Sequence, residues 1–232
     1  MIRILKSRYI LLALMFLGSL PAARSQFIQG ALILGGNVSQ VDGDEIYGFN
    51  KLGFNTGAAA IVPFTDSWSL TIEALYSQKG AHRGPLYPNE VVNGEYDYRL
   101  NYAEIPVLIM FTDKDVITFG AGFSFNRLVS YTEDDNRIDE LNTVEYSGPP
   151  ATNSFEVLGD MRFRVYKNLK MNFRYSYSIA PYREVDFYYE YLDHPEHRKQ
   201  YNSVMTWRLI YVINEKQSRQ TRKENEIIND MQ

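Results

Sequence analysis

The sequence predicts an all-β chain: an eight-stranded, antiparallel, up-and-down transmembrane β-barrel, behind a cleaved signal peptide and ahead of a polar tail. Three observations carry that prediction. Eight segments alternate apolar and polar residues with a period of two. Their connections run long, short, long, short: those near 63–67, 112–115 and 166–169 are brief, and those near 41–50, 79–96, 132–152 and 181–200 are roughly ten to twenty residues. The N-terminus has the pattern of a secretory signal.

In that signal, Arg3, Lys6 and Arg8 form a basic start and Tyr9 to Leu20 a nearly continuous apolar run. Ala23-Arg24-Ser25 then supplies small residues for cleavage before Gln26. The run is shorter than the ~20 residues a spanning helix needs. Residues 1–25 are therefore read as signal peptide, 26–213 as barrel and 214–232 as tail.

The first segment, about 28–40, alternates Leu32, Leu34 and Val38 with Ile33, Gly35 and Asn37. The second, about 51–63, sets Leu52, Phe54, Thr56, Ala58, Ala60 and Val62 against Lys51, Gly53, Asn55, Gly57 and Ala59. The third, about 67–79, sets Trp68, Leu70, Ile72, Ala74 and Tyr76 against Ser69, Thr71, Glu73 and Ser77. In the fourth, about 97–111, Tyr98, Leu100 and Tyr102 share one parity, whereas Ile105, Val107, Ile109 and Phe111 share the other. A phase slip near Glu104-Ile105-Pro106 is expected to reconcile them, since proline in a sheet favours a bulge or an edge.

The fifth, about 116–130, places Ile117, Phe119, Ala121, Phe123 and Phe125 opposite Thr118, Gly120, Gly122, Ser124 and Asn126. The sixth, about 154–166, places Phe155, Val157, Met161, Phe163 and Val165 opposite Glu156, Asp160, Arg162 and Arg164. The seventh, about 169–180, and the eighth, about 201–213, continue the pattern through Met171, Phe173 and Tyr175 and through Trp207, Leu209 and Tyr211. Trp68 and Trp207 are expected toward the short-turn end. Tyr76, Tyr98, Tyr102, Tyr177, Tyr182 and Tyr201 are expected in an interfacial belt at the other.

Periodicity alone does not say which face meets lipid. The signal peptide, the asymmetric loops and the charges on the polar face place the apolar face outward. An eight-stranded barrel encloses only enough space for side chains or one small ligand. Glu73, Glu104, Glu156 and Asp160 are therefore expected to meet Arg162, Arg164, Arg174 and Arg208 in an interior ion-pair network.

Composition narrows the function classes. The chain has no cysteine, which excludes a lipoprotein anchor, disulfides and thiolate chemistry. Removing residues 1–25 takes away Arg3, Lys6, Arg8 and Arg24 and no acid, leaving 20 basic residues against 28 acidic, a formal charge of −8. Nucleic acid is then an unsuitable partner, because phosphate binding needs a basic footprint. The three histidines, His82, His194 and His197, all fall in expected loops. Asp193-His194-Pro195-Glu196-His197 has metal-binding side chains without a helical frame to hold them, and no serine stands in a nucleophile motif. No catalytic residue, cofactor or metal ligand is assigned. Asp42-Gly43-Asp44-Glu45 fails to complete a calcium loop and reads as a turn. Glu133, Asp134, Asp135, Asp139, Glu140 and Glu145 make the 132–152 loop acidic, a solvated loop or a surface for lipopolysaccharide bridged by divalent ions. The tail, with Arg219, Arg222, Lys223, Glu224 and Glu226, reads as a periplasmic extension toward peptidoglycan or a periplasmic protein.

Two stretches carry a resemblance. Gly36-Asn37-Val38-Ser39-Gln40-Val41-Asp42-Gly43-Asp44, with Gly48-Phe49-Asn50-Lys51-Leu52-Gly53-Phe54 and Gly57, resembles the opening of the PorT-like outer-membrane barrels of Bacteroidota. Tyr102-Ala103-Glu104-Ile105-Pro106-Val107-Leu108 resembles a strand of the same family. The resemblance implies an outer-membrane barrel with extracellular long loops and periplasmic turns. It also implies a non-enzymatic envelope or assembly component, its namesake being associated with type IX protein secretion. A small-ligand barrel or narrow pore is the alternative, motivated by the glycines of the first, second and fifth segments.

Overall fold

The computed structural model describes residues 28–44, 48–84, 92–93, 95–135, 138–139, 144–188 and 194–215. The expected signal peptide and the tail beyond Glu215 lie outside these residues. Twelve strands are described: β1 (Gln29–Asp42), β2 (Lys51–Pro63), β3 (Trp68–Arg83), β4 (Val92–Asn93), β5 (Tyr96–Asp113), β6 (Ile117–Asp135), β7 (Ile138–Asp139), β8 (Val144–Ser147), β9 (Asn153–Tyr166), β10 (Leu169–Ser178), β11 (Arg183–Tyr188) and β12 (Glu196–Val212). Eight of them pair in the order β1-β2-β3-β5-β6-β9-β10-β12, and β12 pairs back on β1. The ring is closed, so the wall leaves no open edge to lipid.

The short connections follow from backbone chemistry. Lys114 and Asp115 have φ of 47° and 61°, the positive values of a tight hairpin whose twist matches its strands. Val116 N–H donates to Asp113 O at 3.0 Å and closes that turn. The long connections hold more strand than periodicity shows. β3 runs to Arg83, β6 to Asp135, and β12 begins at Glu196. β11 pairs with β12 and with β8, so regular sheet rises above the barrel wall.

Outward residues trace an apolar band. On β5 it runs through Ile105, Val107, Ile109 and Phe111, all exposed. From Phe111 to Ala103 the strand covers about 27 Å at ~3.4 Å per residue, enough once tilted for a band about 25 Å tall. From that border upward the outward side chains include the polar Arg127, Asn101 and Gln78.

The expected phase slip at Glu104-Ile105-Pro106 does not occur. β5 holds one parity throughout, with Tyr96, Tyr98, Leu100, Tyr102, Glu104, Leu108 and Met110 all buried. What changes is the medium outside. Beside lipid the apolar residue belongs on the outer face; above the bilayer, where water is outside, it belongs inside. The hydrophobic pattern inverts while the pleat continues. The irregularity lies instead on the partner strand, where Asn101 pairs with Ser130 and Tyr102 with Leu128, leaving Val129 as an extra residue in β6.

The same inversion corrects the tyrosine belt. Tyr76 is exposed, and Tyr177 stacks on Tyr201 with centroids 6.0 Å apart at the wall. Tyr98, Tyr102 and Tyr182 are buried inside, packed with Val41, Ala81, Tyr96 and Leu100. Trp68 opens β3 beside a short turn and packs on Phe111, with centroids 5.1 Å apart. Trp207 lies farther up its strand, opposite Gly36 on β1 and Phe173 on β10.

Candidate functional site in the barrel lumen

The inward positions of the wall are filled in layers. At the short-turn end Ala31, Ile33, Ala59, Ile61, Leu75, Ile210 and Val212 form one apolar floor, and Leu108, Met110 and Leu158 form another. Above the floor is a charged layer built from four strands. Glu73 of β3 accepts from Arg162 of β9 and Arg174 of β10 at 2.9 Å each, and from Arg208 of β12 at 3.0 Å. Asp160 accepts from Arg162 Nε and Arg174 Nε at 2.8 Å each and lies 3.4 Å from Arg208. Asn172 completes the layer, donating to Asp160 Oδ1 at 2.9 Å while its own Oδ1 accepts from Arg208 Nε at 2.7 Å.

β3 and β10 are four places apart in the ring of eight, so the Glu73–Arg174 pair crosses the lumen between opposite walls. Such pairs need this geometry to offset desolvation, and each guanidinium here has two acidic partners within 3.4 Å.

Lys79 forms a second charged layer. Its ammonium lies 2.5 Å from Glu104 and 2.6 Å from Glu156, and 5.5 Å from the Tyr102 ring centroid. Glu104 and Glu156 thus meet a lysine, not the arginines expected from sequence. Lys79 sat at the expected end of its strand; its parity with Glu73 and Ser77 was the available signal. The first layer sets three arginines against two acidic side chains, and the second sets one lysine between two.

Arg164 stands apart from both layers. At the short-turn rim, it donates to Glu215 Oε2 at 2.8 Å and Oε1 at 2.5 Å, and to the carbonyls of Asp115 and Lys167. β9 reaches its turn there, and the nearest carboxylate comes from the start of the tail. Asn214 secures the same region, donating to Ile28 O at 3.0 Å and accepting from Gly30 N–H at 2.9 Å.

The motif residues are built into the wall. Asn37 Nδ2 donates to Ser77 Oγ and Gln78 O at 2.9 Å each, and its Oδ1 accepts from Thr206 at 2.9 Å. Ser39 Oγ donates to Gly80 O and accepts from Gly80 N–H, both at 2.9 Å. β2 begins at Lys51, opposite Ser39, and at that level the serine side chain reaches β3 directly. Gln40 donates to Asp42 at 2.8 Å. Gly43 has φ of 96°, and Asp44 is buried.

Two of the glycines expected to leave luminal space, Gly35 and Gly120, leave little. A Cβ on Gly35 would lie 2.7 Å from Arg208 Cγ, and one on Gly120 would lie 2.1 Å from Met110 Sδ. The neighbouring side chains already occupy that volume.

At the long-loop mouth Arg183 pairs with Glu133 at 2.9 and 3.0 Å, donates to Gly148 O, and lies 5.3 Å from the Tyr98 ring centroid. Tyr182 donates to Gln200 Oε1 at 3.2 Å. Burial, reinforced by Tyr98 nearby, pushes the Tyr182 phenol well above its ordinary range and keeps it neutral. Asp97 holds Lys51 at 2.5 Å and His82 at 3.2 Å. Partial burial opposes its charge, but Lys51, with Arg99 and His82, outweighs that and holds the carboxyl below its usual range.

His197 faces Asp186 at 2.6 Å and Glu184 at 3.6 Å across β11, while Glu196 pairs with Arg198 at 3.0 Å. Asp193 of that run lies outside the described residues, as do Glu45, Glu140 and the side chains of Asp139 and Glu145. Among the described residues no group of three or more His, Asp or Glu side chains is placed to hold a metal ion.

The chain is similar to several solved outer-membrane barrels. The attachment invasion locus protein Ail of Yersinia pestis shares 15% identity, covering 79% of this chain and 97% of that one, with a TM-score of 0.39. Neisserial surface protein A shares 14%, covering 82% and 98%, with a TM-score of 0.43. OprG of Pseudomonas aeruginosa shares 10%, covering 80% and 94%, with a TM-score of 0.36. No curated protein matches the chain by sequence. The family described as outer membrane protein beta-barrel domain matches residues 13–182. The chain belongs to that family and is an integral β-barrel of the outer membrane.

Proposed function

We propose that the protein is a non-enzymatic, PorT-like envelope component that serves assembly or protein secretion, with its long loops extracellular and its turns and tail periplasmic. The observation that supports this most is the filled lumen. A passage occupied by cross-wall pairs such as Glu73–Arg174 and Lys79–Glu156 leaves the barrel's ends as its working surfaces. On the outer end the acidic residues Asp134 and Asp135 are exposed, suited to lipopolysaccharide through divalent ions. On the inner end the Arg164–Glu215 clamp ties Glu215 to the short-turn rim, consistent with a tail that serves a periplasmic partner.

Deleting the gene and measuring envelope integrity together with export of secreted cargo tests the reading. Loss of export with an intact envelope supports the secretion role. Normal behaviour in both assays contradicts it, and crosslinking from the outer membrane would then be expected to return no partner.

A further inference from the structure

We propose that Arg127 seats the phosphate of a lipid A headgroup on the outer wall of the barrel. The inference deepens the lipopolysaccharide contact proposed above and rests on the orientation of that reading, with the long loops extracellular. Arg127 of β6 is exposed and lies opposite Ala103, the upper border of the apolar band. Lipid phosphates sit just above the hydrocarbon, so an outward cation at this border is at their level. Other cations of the long-loop end are paired with carboxylates: Lys51 with Asp97, Arg183 with Glu133 and Arg198 with Glu196. Arg127 has no acidic partner among the described residues.

The surroundings of Arg127 match the two halves of such a lipid. Below it on the outer face, Phe125 packs on Phe155 of β9 with centroids 5.3 Å apart, and both rings are exposed. They offer acyl chains an aromatic bed. Above it, Asn101 Nδ2 donates to Ser130 Oγ at 2.9 Å, a polar pair suited to sugar hydroxyls. Val129, the extra residue of the bulge, is 64% exposed beside that pair, as fits the level where acyl chains join the headgroup. Arg99 adds a second exposed cation on the same face, held only loosely, 3.7 Å from Asp97. Asp134 and Asp135 lie farther along β6, roughly 25 Å of strand beyond Arg127. The arginine therefore takes phosphate directly and bidentately at bilayer level, while the acids meet divalent ions above it.

The test titrates the full barrel, folded in dodecyl maltoside micelles, with lipid A and counts bound lipid by native mass spectrometry. Lipid A stripped of its phosphates and phosphatidylglycerol are the comparators. Lipid A is expected to bind saturably, and Arg127→Gln should weaken it about tenfold, the loss of one charge-assisted contact. Lys199→Gln removes an exposed cation from β12, away from this face, and should leave binding unchanged. Mobility of unboiled samples on gels establishes that each variant is folded. Equal binding of lipid A with and without its phosphates overturns the proposal, as does equal binding by the native chain and folded Arg127→Gln. Phosphatidylglycerol bound as tightly as lipid A overturns the assignment to lipid A. None of these results measures export, so failure here is distinguishable from failure of the secretion reading.

Discussion

Arg208 Nη1 donates to Glu73 Oε2 at 3.0 Å, with both side chains 0% exposed. Their strands, β12 and β3, are separated in the ring by β1 and β2. The contact is therefore a chord across the lumen, and it makes the charged layer part of the barrel's core.

Removing Glu73 leaves Arg162, Arg174 and Arg208 to share Asp160. Glu73→Ala is expected to destabilise the folded barrel by about 3–5 kcal/mol, the cost of stranding a buried charge. Glu73→Met with Arg208→Met removes one charge of each sign and keeps the layer's balance, so the double variant should recover most of that loss. Urea unfolding in liposomes, followed by the fluorescence of Trp68 and Trp207, measures both.

The lipid-facing wall is tested by depth. Phe123 is 64% exposed in the apolar band, and Phe123→Arg should cost about 2–4 kcal/mol. Ala103→Arg, at the upper border of the band, should cost only about 0–1 kcal/mol. Equal costs in the same unfolding assay would contradict the band as drawn.

Ser39 and Gly80 give a sharper test of the motif. Ser39→Ala loses two hydrogen bonds to β3 and should cost about 1–3 kcal/mol. Gly80→Ala should cost more, because its φ is 139° and a Cβ would meet Tyr98 O at 1.9 Å. The ordering of the two unfolding midpoints decides whether the motif is structural.

Asp97 predicts a pH dependence at the long-loop end. Its carboxyl is held below its usual range, so the stability it adds is fully present above the ordinary carboxylate pKa of about 3.9. That stability is lost as pH falls through the lower folded value. Hydrogen exchange at 79–83 and 96–100 should quicken only in this acid window, and Asp97→Asn should remove the dependence.

The strands and turns were legible because lipid imposes strict alternation on every residue that crosses it. The luminal layers were half legible. Glu73, Asp160, Arg162, Arg174 and Arg208 lie where their parity put them. Lys79 was obscured because its strand continues into the region expected to be loop. Arg164 was misplaced because its partner, Glu215, belongs to a segment with no periodicity. Tyr98, Leu100 and Tyr102 misled for a physical reason: the outer medium changes from lipid to water along one strand. Alternation alone carries no record of where that happens.

The filled lumen is tested most directly by single-channel recording of the purified barrel in planar bilayers. The cross-wall pairs predict no steady conductance for the native chain. Large, stable single-channel openings would contradict the account.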